Sequence, residues 1–215
     1  MQNSVHYEKF LNALLEGDRN LCSEITRKEL NNNESILELY EHLLKISLYE
    51  IGELWEYNKI SVATEHLASA IIEALLNEIY PSIQSNKSTQ KSVVLTCVED
   101  EFHRVGLRMV GDVFELYGWN TIFLGANTPT NELIKLLHKK TPDILAISIS
   151  LFFHIPLLED MIQKIRSEFP DLLIFLGGQA FKHGGEEVIS KYKNVMYFAD
   201  LYSLNEILKI VYQHA

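Results

Sequence analysis

The chain has little cysteine, and its two cysteines, Cys22 and Cys97, stand far apart. This spacing excludes a disulfide framework and a paired-cysteine zinc site. The sequence also lacks an apolar run of membrane-spanning length, and its N-terminus lacks the basic-then-apolar pattern of a signal segment. We therefore expect a cytoplasmic protein that has no contact with a membrane.

Basic residues are scarce as well. The formal net charge is −10, with 19 Lys and Arg against 29 Asp and Glu. Residues 1–85 hold 6 basic and 14 acidic side chains, and residues 86–215 hold 13 and 15. Binding to DNA or RNA requires a basic face that displaces counterions from phosphates. We therefore expect no direct contact with nucleic acid.

Several catalytic motifs are absent. There is no G-x-G-x-x-G after the first predicted strand, as a dinucleotide-binding domain requires. There is no G-x-S-x-G nucleophile elbow of a serine hydrolase. A phosphate-accepting receiver domain would place an aspartate at the end of the third strand, where this chain has serines. These absences exclude three common uses of an α/β fold.

Residues 1–85 contain only helical patterns. Apolar residues recur at helical spacing in four segments that are separated by short breaks, which indicates an antiparallel four-helix bundle. Asp18 and Ser61 are the expected N-caps of two of these helices. The predicted helices are Val5–Glu16, Asp18–Lys28, Ser35–Tyr57 and Val62–Tyr80, with a break at Asn31–Asn33. The polar stretch Pro81–Gln90 then predicts a linker between two domains.

Residues 90–215 alternate between strand and helix patterns. Short apolar runs separated by amphipathic segments predict a five-stranded parallel sheet with helices on both faces, a flavodoxin-like doubly wound domain. Thr128 and Pro129 are expected to begin one of the helices. The predicted strands are Ser92–Thr96, Thr121–Leu124, Ile144–Ser148, Leu172–Leu176 and Met196–Phe198. The predicted helices are Val105–Tyr117, Thr130–Lys140, Pro156–Phe169, Glu186–Tyr192 and Leu201–Gln213.

Three loops of this sheet carry candidate site residues. Ligands of open parallel sheets bind at the carboxyl ends of the strands. The first loop contains Glu101 and His103, and a histidine held by a carboxylate is a good metal ligand. The remaining candidates in the three loops are Gly106, then Ser148 and Ser150, then Gly177 and Gly178.

Together these loops resemble a known pattern. Glu101-x-His103-x-x-Gly106, Ser148-x-Ser150 and Gly177-Gly178 are similar to the D-x-H-x-x-G, S-x-L and G-G motifs of the cobalamin-binding domain family. The resemblance covers residues 90–215. It implies that His103 is the lower cobalt ligand and that Glu101 supports it. It further implies that Gly106 allows the corrin to approach and that the serines and the glycine pair hold the nucleotide tail of the cofactor. Glu101 for Asp and Ser150 for Leu depart from the pattern.

The helical half resembles a particular branch of that family. Trp55 is followed ten places later by Glu65 and His66. This is similar to the signature of the light-sensing domain of CarH-type adenosylcobalamin photoreceptors, in which the bundle covers the upper face of the corrin. The resemblance implies that Trp55, Glu65 and His66 enclose the adenosyl group. Glu56 stands where those relatives carry a histidine, so the capture of cobalt by a second histidine after illumination stays open.

The resemblance therefore favours an adenosylcobalamin-dependent light sensor, not an enzyme. Photolysis of the cobalt–carbon bond would change its conformation or its assembly and signal through a partner protein or a homo-oligomer, because a DNA-binding module is not expected. Two alternatives stay open. One is a methylcobalamin-carrying corrinoid protein of a methyltransferase system, and the other is a sensor that binds haem. The remaining histidines, including His154, show no pairing that indicates a site, and surface solvation is expected for them.

Overall fold

The computed structural model describes residues 2–31, 35–83 and 88–213. The chain divides after Ile83 into two compact units, which we name the helical unit (residues 1–83) and the sheet unit (residues 84–215). Among the described residues, no helix is long and apolar enough to cross a membrane. The helices of the helical unit are α1 (Gln2–Glu16), α2 (Arg19–Asn31), α3 (Ile36–Leu39), α4 (Lys45–Glu56) and α5 (Val62–Ile79).

The ends of these helices follow from local side-chain chemistry. The carboxylate of Asp18 accepts a hydrogen bond from Leu21 N at 3.0 Å, and the hydroxyl of Ser61 accepts one from Thr64 N at 3.1 Å. Ser35 and Glu38 form a reciprocal capping box at the start of α3. Both predicted N-caps are therefore confirmed. Of the predicted break at Asn31–Asn33, residues 32–34 lie outside the described residues.

The predicted long helix Ser35–Tyr57 has an irregularity that the hydrophobic periodicity did not reveal. A π-helical turn, Tyr40–Leu44, joins α3 to α4. Of the apolar residues that recur in this predicted helix, Leu39, Tyr40, Leu44 and Ile51 are buried, whereas Ile46 and Trp55 are exposed. Helical periodicity in the predicted helix Val62–Tyr80 places Leu67 on its inward face, but 48% of Leu67 is exposed. It lies in the second turn of α5, where it covers the Gly17 backbone.

The sheet unit is the predicted doubly wound fold. Its five strands are all parallel and lie in the order β2-β1-β3-β4-β5. The strands are β1 (Ser92–Cys97), β2 (Asn120–Gly125), β3 (Ile144–Ser148), β4 (Leu173–Gly177) and β5 (Val195–Tyr197). The helices are α6 (Val105–Leu116), α7 (Thr130–Lys140), α8 (Ile155–Glu168), α9 (Glu186–Lys191) and α10 (Leu201–Gln213).

The core of the sheet unit follows from its central strands. All residues of β3, and all but the first of β1, are buried, which is the continuous apolar pattern of a strand covered on both faces. Side chains of α7 and α8 close one face of the sheet over these strands. One predicted detail is wrong, because α7 begins after Pro129 and no side chain caps it.

The strand register brings the predicted loops together. Cys97 at the end of β1 is level with Ser148 of β3, and Ser148 is level with Gly177 of β4. The strand order places β2 on one side of β1 and β3, β4 and β5 on the other, so the border between β1 and β3 is the switch point where ligands of this fold class bind. The loops after β1, β3 and β4 therefore leave the sheet side by side.

Candidate cofactor site

The carboxylate of Glu101 is the centre of the loops at the sheet edge. It follows β1 and is fully buried. Its Oε1 accepts hydrogen bonds from the backbone N–H of His103, at 3.1 Å, and from His103 Nδ1. Its Oε2 accepts from the backbone N–H groups of Ser150, at 2.9 Å, and Leu151, at 3.1 Å. One side chain thus joins the loop after β1 to the loop after β3.

These hydrogen bonds decide the charge of Glu101. Burial raises the pKa of the carboxyl, but the hydrogen bonds from His103 and from the backbone of Ser150 and Leu151 outweigh it and lower the pKa to about 2. An ionised carboxylate only accepts hydrogen bonds, so Nδ1 of His103 carries the proton. The tautomer of the His103 ring is therefore fixed by the protein itself.

The side chain of His103 has the carboxylate partner that metal-ligating histidines commonly have. This side chain is 52% exposed although its carboxylate partner is fully buried. An imidazole that donates through Nδ1 binds a metal through Nε2, and the carboxylate raises the basicity of the ring. The predicted pairing of Glu101 with His103 is thus present, with the carboxylate inside the unit and the ring at its surface.

A second histidine belongs to this cluster, and the sequence did not reveal it. His154 was expected to be solvated, but it is buried, and its Nδ1 lies 3.3 Å from Glu101 Oε2. It stands in a short 3₁₀ turn, Phe152–His154, just before α8. No local pattern links positions 101 and 154, because the contact depends on the pairing of β1 with β3.

The two predicted serines lie in different surroundings. Ser148 is the last residue of β3 and is buried. Ser150 is partly exposed, and its backbone N–H is held by Glu101. The structure therefore brings Ser148, Ser150, Glu101 and His103 to one edge of the sheet, while the contact of either serine with a cofactor tail stays a prediction.

Packing within the sheet unit explains part of the glycine pair after β4. Gly178 has a φ of 114°, and a Cβ at this position would lie 2.1 Å from the carbonyl oxygen of Ile149. The Gly178 backbone is therefore pressed against the loop after β3. A Cβ on Gly177 would make only an ordinary 3.5 Å contact with the carbonyl of Phe198. The absence of a side chain at Gly177 therefore leaves more room for a ligand tail than its absence at Gly178, where the loop after β3 already fills the space.

The space around Gly106 indicates whether the site can accept a large flat cofactor. It lies in the first turn of α6, three residues after His103, and it is exposed. No atom that a Cβ would meet lies within 4 Å among the described residues. Its packing in the unit does not require glycine, and the small residue leaves the surface of this helical turn open three residues after His103. A corrin ring that approaches His103 from outside fits this arrangement.

The residues predicted to meet the upper ligand lie in the helical unit. Trp55, near the end of α4, is 46% exposed. Glu65 stands in the first turn of α5, where Ser69 Oγ donates to its Oε1 at 2.9 Å and His66 Nδ1 lies 2.5 Å from its Oε2. A tight turn with Asn58 at a φ of 55° joins the two helices. An exposed indole and a positioned carboxylate thus flank one helical hairpin.

The fold and its site define a class, which is the Rossmann-like cobalamin-binding proteins with a helical N-terminal region. A family model described as "B12 binding domain" matches residues 91–201, and a second model of the same description matches residues 7–80. The first match alone spans more than half of the chain. The chain therefore belongs to the B12-binding domain family.

The relatives fall into two groups. The HTH-type transcriptional repressor CarA of Myxococcus xanthus is 29% identical over 143 residues, which are 66% of this chain and 46% of CarA. Trimethylamine corrinoid protein 1 of Methanosarcina acetivorans is 24% identical over 143 residues, 65% of this chain and 66% of that protein. The chain spans about half the length of CarA and of CarH, the repressors that it matches.

A solved structure shares the fold over nearly the whole chain. The monomethylamine corrinoid protein of Methanosarcina barkeri superposes with a TM-score of 0.80 at 15% identity and covers 97% of this chain and 99% of its own. At this identity the likeness establishes the fold alone. The predicted order of a helical region followed by a five-stranded parallel sheet is confirmed.

Proposed function

We propose that this chain is an adenosylcobalamin-binding light sensor. The observation that carries the proposal is the exposed indole of Trp55 near the end of α4, together with a carboxylate in the first turn of α5, Glu65, that is already held in place by Ser69 and His66. A methyl group as upper ligand has no surface for an indole to cover and no hydroxyl for a carboxylate to bind. An adenosyl group has both.

The sheet unit contributes the lower side of the proposed complex. Because His103 Nδ1 donates to Glu101, cobalt would be bound through Nε2 of the ring. Gly106 keeps the corrin side open, and Ser148, Ser150 and Gly177 line the edge where the nucleotide tail would lie. In the proposed complex, each loop at the sheet edge binds one part of the cofactor.

The helical unit contributes the contacts to the upper ligand. The indole of Trp55 offers a flat apolar face for the adenine, and aromatic stacking adds to the area that is buried. Glu65 accepts hydrogen bonds from ribose hydroxyls, and its two held oxygens lose little freedom when they do so. His66, 75% exposed, orients Glu65 through Nδ1.

Bound adenosylcobalamin would supply a cobalt–carbon bond that green light breaks. Loss of the adenosyl group would remove the contacts with Trp55 and Glu65, and this difference in binding free energy would drive a change of conformation or assembly. The net charge of −10 does not favour contact with nucleic acid. The signal therefore passes to a protein partner or to a second copy of the chain.

The test is the absorption spectrum of the adenosylcobalamin complex in the dark and after green light, with the size of the complex measured in both states. We expect a light-induced spectral change together with a change in size or in partner binding. A complex with an unchanged spectrum after illumination contradicts the proposal.

A matched pair of variants tests whether the indole of Trp55 contacts the upper ligand. Trp55→Ala should weaken adenosylcobalamin binding about tenfold or more and change methylcobalamin binding by less than about twofold, because only the larger ligand covers the indole. Tyr57→Ala removes a ring that is 68% exposed two residues further on, and it should change neither affinity. Equal losses for both cobalamins in Trp55→Ala would remove the basis for an adenosyl pocket.

A methyl-carrying corrinoid protein is the second candidate. It is favoured by the trimethylamine corrinoid relatives, of which this chain covers 66% of the length, compared with 46% of CarA. On this view, the chain binds methylcobalamin in preference to the adenosyl form and works with a methyltransferase. Competition between the two cobalamins in darkness distinguishes the candidates.

A further inference from the structure

We propose that Gly52 sets the size of the upper ligand that the helical unit accepts, by leaving a recess beside Trp55 into which the adenosyl group fits. The inference rests on the proposed function and names one further residue for the same site. It predicts that a larger side chain at position 52 excludes the adenosyl group while the helix itself becomes more stable.

The backbone does not require glycine at this position. Gly52 lies in the interior of α4, and it is not among the residues with a positive φ. Any L-residue fits α-helical dihedral angles, and glycine is the poorest helix former after proline. A glycine here therefore weakens α4 with no gain in the geometry of the chain.

Packing within the protein does not require it either. Apart from its own helix and chain neighbours, no atom within 4 Å would meet a Cβ on Gly52 among the described residues. Gly111 in α6 is different, because a Cβ there would contact the Leu95 side chain at 3.5 Å where the helix packs on the sheet. Gly52 resembles Gly106, which faces open space beside the predicted cobalt ligand.

The position of Gly52 on α4 places the open space next to two residues that can bind an upper ligand. Residues three and four places apart share a helix face, with Cβ atoms about 5–6 Å apart. The open surface at Gly52 therefore continues into the exposed indole of Trp55 and the exposed carboxylate of Glu56. A flat group that carries hydroxyls and an amino group can lie against the bare backbone, stack on the indole and donate to the carboxylate. A methyl group would leave the recess empty.

The experiment combines two measurements on Gly52→Ala and Gly52→Gln. The first is the thermal unfolding midpoint of the cofactor-free chain, and the second is the affinity for adenosylcobalamin and for methylcobalamin in darkness. Alanine and glutamine are both better helix formers than glycine, so we expect the midpoint to rise by about 2–6 °C. We expect adenosylcobalamin affinity to fall about tenfold in Gly52→Ala and about a hundredfold in Gly52→Gln, with methylcobalamin affinity within about twofold of wild type.

A matched control uses another exposed site on the same hairpin. Asn77 of α5 is exposed and lies twelve residues after Glu65, which places it about 18 Å further along the helix. Asn77→Gln enlarges a side chain on a helix surface outside the recess and should change neither affinity. A merely structural role of Gly52 would lower the midpoint in its variants, whereas the recess predicts a higher midpoint with weaker adenosylcobalamin binding.

The outcomes separate this inference from the function on which it rests. Suppose that wild type binds adenosylcobalamin and responds to light, but Gly52→Gln binds it equally well. The proposed role of Gly52 is then wrong, and the proposed light-sensing function is unaffected. Equal losses for both cobalamins also overturn the inference, because the glycine would then serve the corrin and not the upper ligand. If the wild-type complex shows no response to light, the sensor itself is wrong.

Discussion

At the scale of single residues, Glu101 is the side chain on which the site depends most. Aspartate is usual at this position of the resembled motif, and in this chain the longer glutamate side chain binds both His103 and the backbone after β3. Buried charges are tolerated when they are fully hydrogen-bonded. Glu101 meets this condition through donors from two loops.

The first residue-scale prediction concerns Glu101→Gln. A carboxamide has one acceptor oxygen and one NH2, so in either orientation its NH2 faces an N–H donor of His103 or of Ser150 and Leu151. We expect the free energy of unfolding of the sheet unit to fall by about 2–3 kcal/mol, the cost of leaving buried polar groups unpaired. Urea unfolding measures this change.

Glu99→Gln is the matched control, since Glu99 lies two residues earlier in the same loop and is exposed. The same substitution there should change the free energy of unfolding by less than about 0.5 kcal/mol. Equal effects at positions 99 and 101 would show that the hydrogen bonds of Glu101 contribute nothing to stability.

The sequence predicted the pairing of Glu101 with His103 but not the full cluster. Two residues that are two positions apart in a loop can be linked by local reasoning. The contacts of Glu101 with Ser150, Leu151 and His154 span about fifty residues, and they exist only because β1 and β3 are neighbours in register. A single sequence gives strand order only through the fold class, so side-chain contacts across strands stay hidden.

At the scale of elements, one arginine supports the edge of the sheet. The guanidinium of Arg166 near the end of α8 donates to four backbone carbonyls, those of Phe169, Leu172, Lys193 and Asn194. These carbonyls flank the start of β4 and the start of β5. β5 has only three residues, so this side chain supplies contacts that so short an edge strand cannot make through its ladder alone.

The loop after β4 gives an element-scale prediction. In Gly178→Ala, the new Cβ would lie 2.1 Å from Ile149 O at a φ of 114°, so the loops after β3 and β4 must separate. We expect the free energy of unfolding to fall by about 3 kcal/mol, from backbone strain and overpacking together. Urea unfolding measures the loss.

Gly177→Ala is the neighbouring control, because its Cβ would make an ordinary contact at 3.5 Å. We expect it to lower the free energy of unfolding by less than about 1 kcal/mol. If Gly178→Ala is as stable as Gly177→Ala, the close approach of the two loops is not a constraint on the fold.

The sequence predicted elements where the signal is local and strong. β3, α7 and α10 have the predicted bounds, because apolar runs and helical periodicity mark them. The π-helical turn Tyr40–Leu44 escaped detection, since one widened turn changes the hydrophobic period too little. The exposure of Leu67 was missed for a different reason, because periodicity cannot tell how far along a helix its packing partners extend.

At the scale of the whole molecule, the chain consists of two units with separate cores. The buried cluster between the sheet and α7 and α8 is drawn from the sheet unit alone. The helical unit has its own buried side chains, among them Phe10, Leu14, Ile72 and Leu75. Each unit is within the usual size of an independently folding domain.

We therefore predict that residues 84–215 fold when expressed alone. Trp119 is the only tryptophan of this fragment and is buried, with its ring 5.2 Å from that of Phe114. Its fluorescence should report a single cooperative transition in urea. A fragment that begins at residue 100 lacks β1, the partner of both β2 and β3, and should show no such transition. A gradual change in the longer fragment would contradict the prediction.

The fixed tautomer of His103 has a consequence for recognition. The imidazole is turned outward by a carboxylate that is itself tied to the polypeptide backbone, so folding orders the ring before any corrinoid arrives. The ring would therefore lose little further conformational entropy when a corrinoid binds. If His103 is the lower ligand, as we propose, a force that moved the metal away from this ring would pull on the loop after β3 through the same carboxylate.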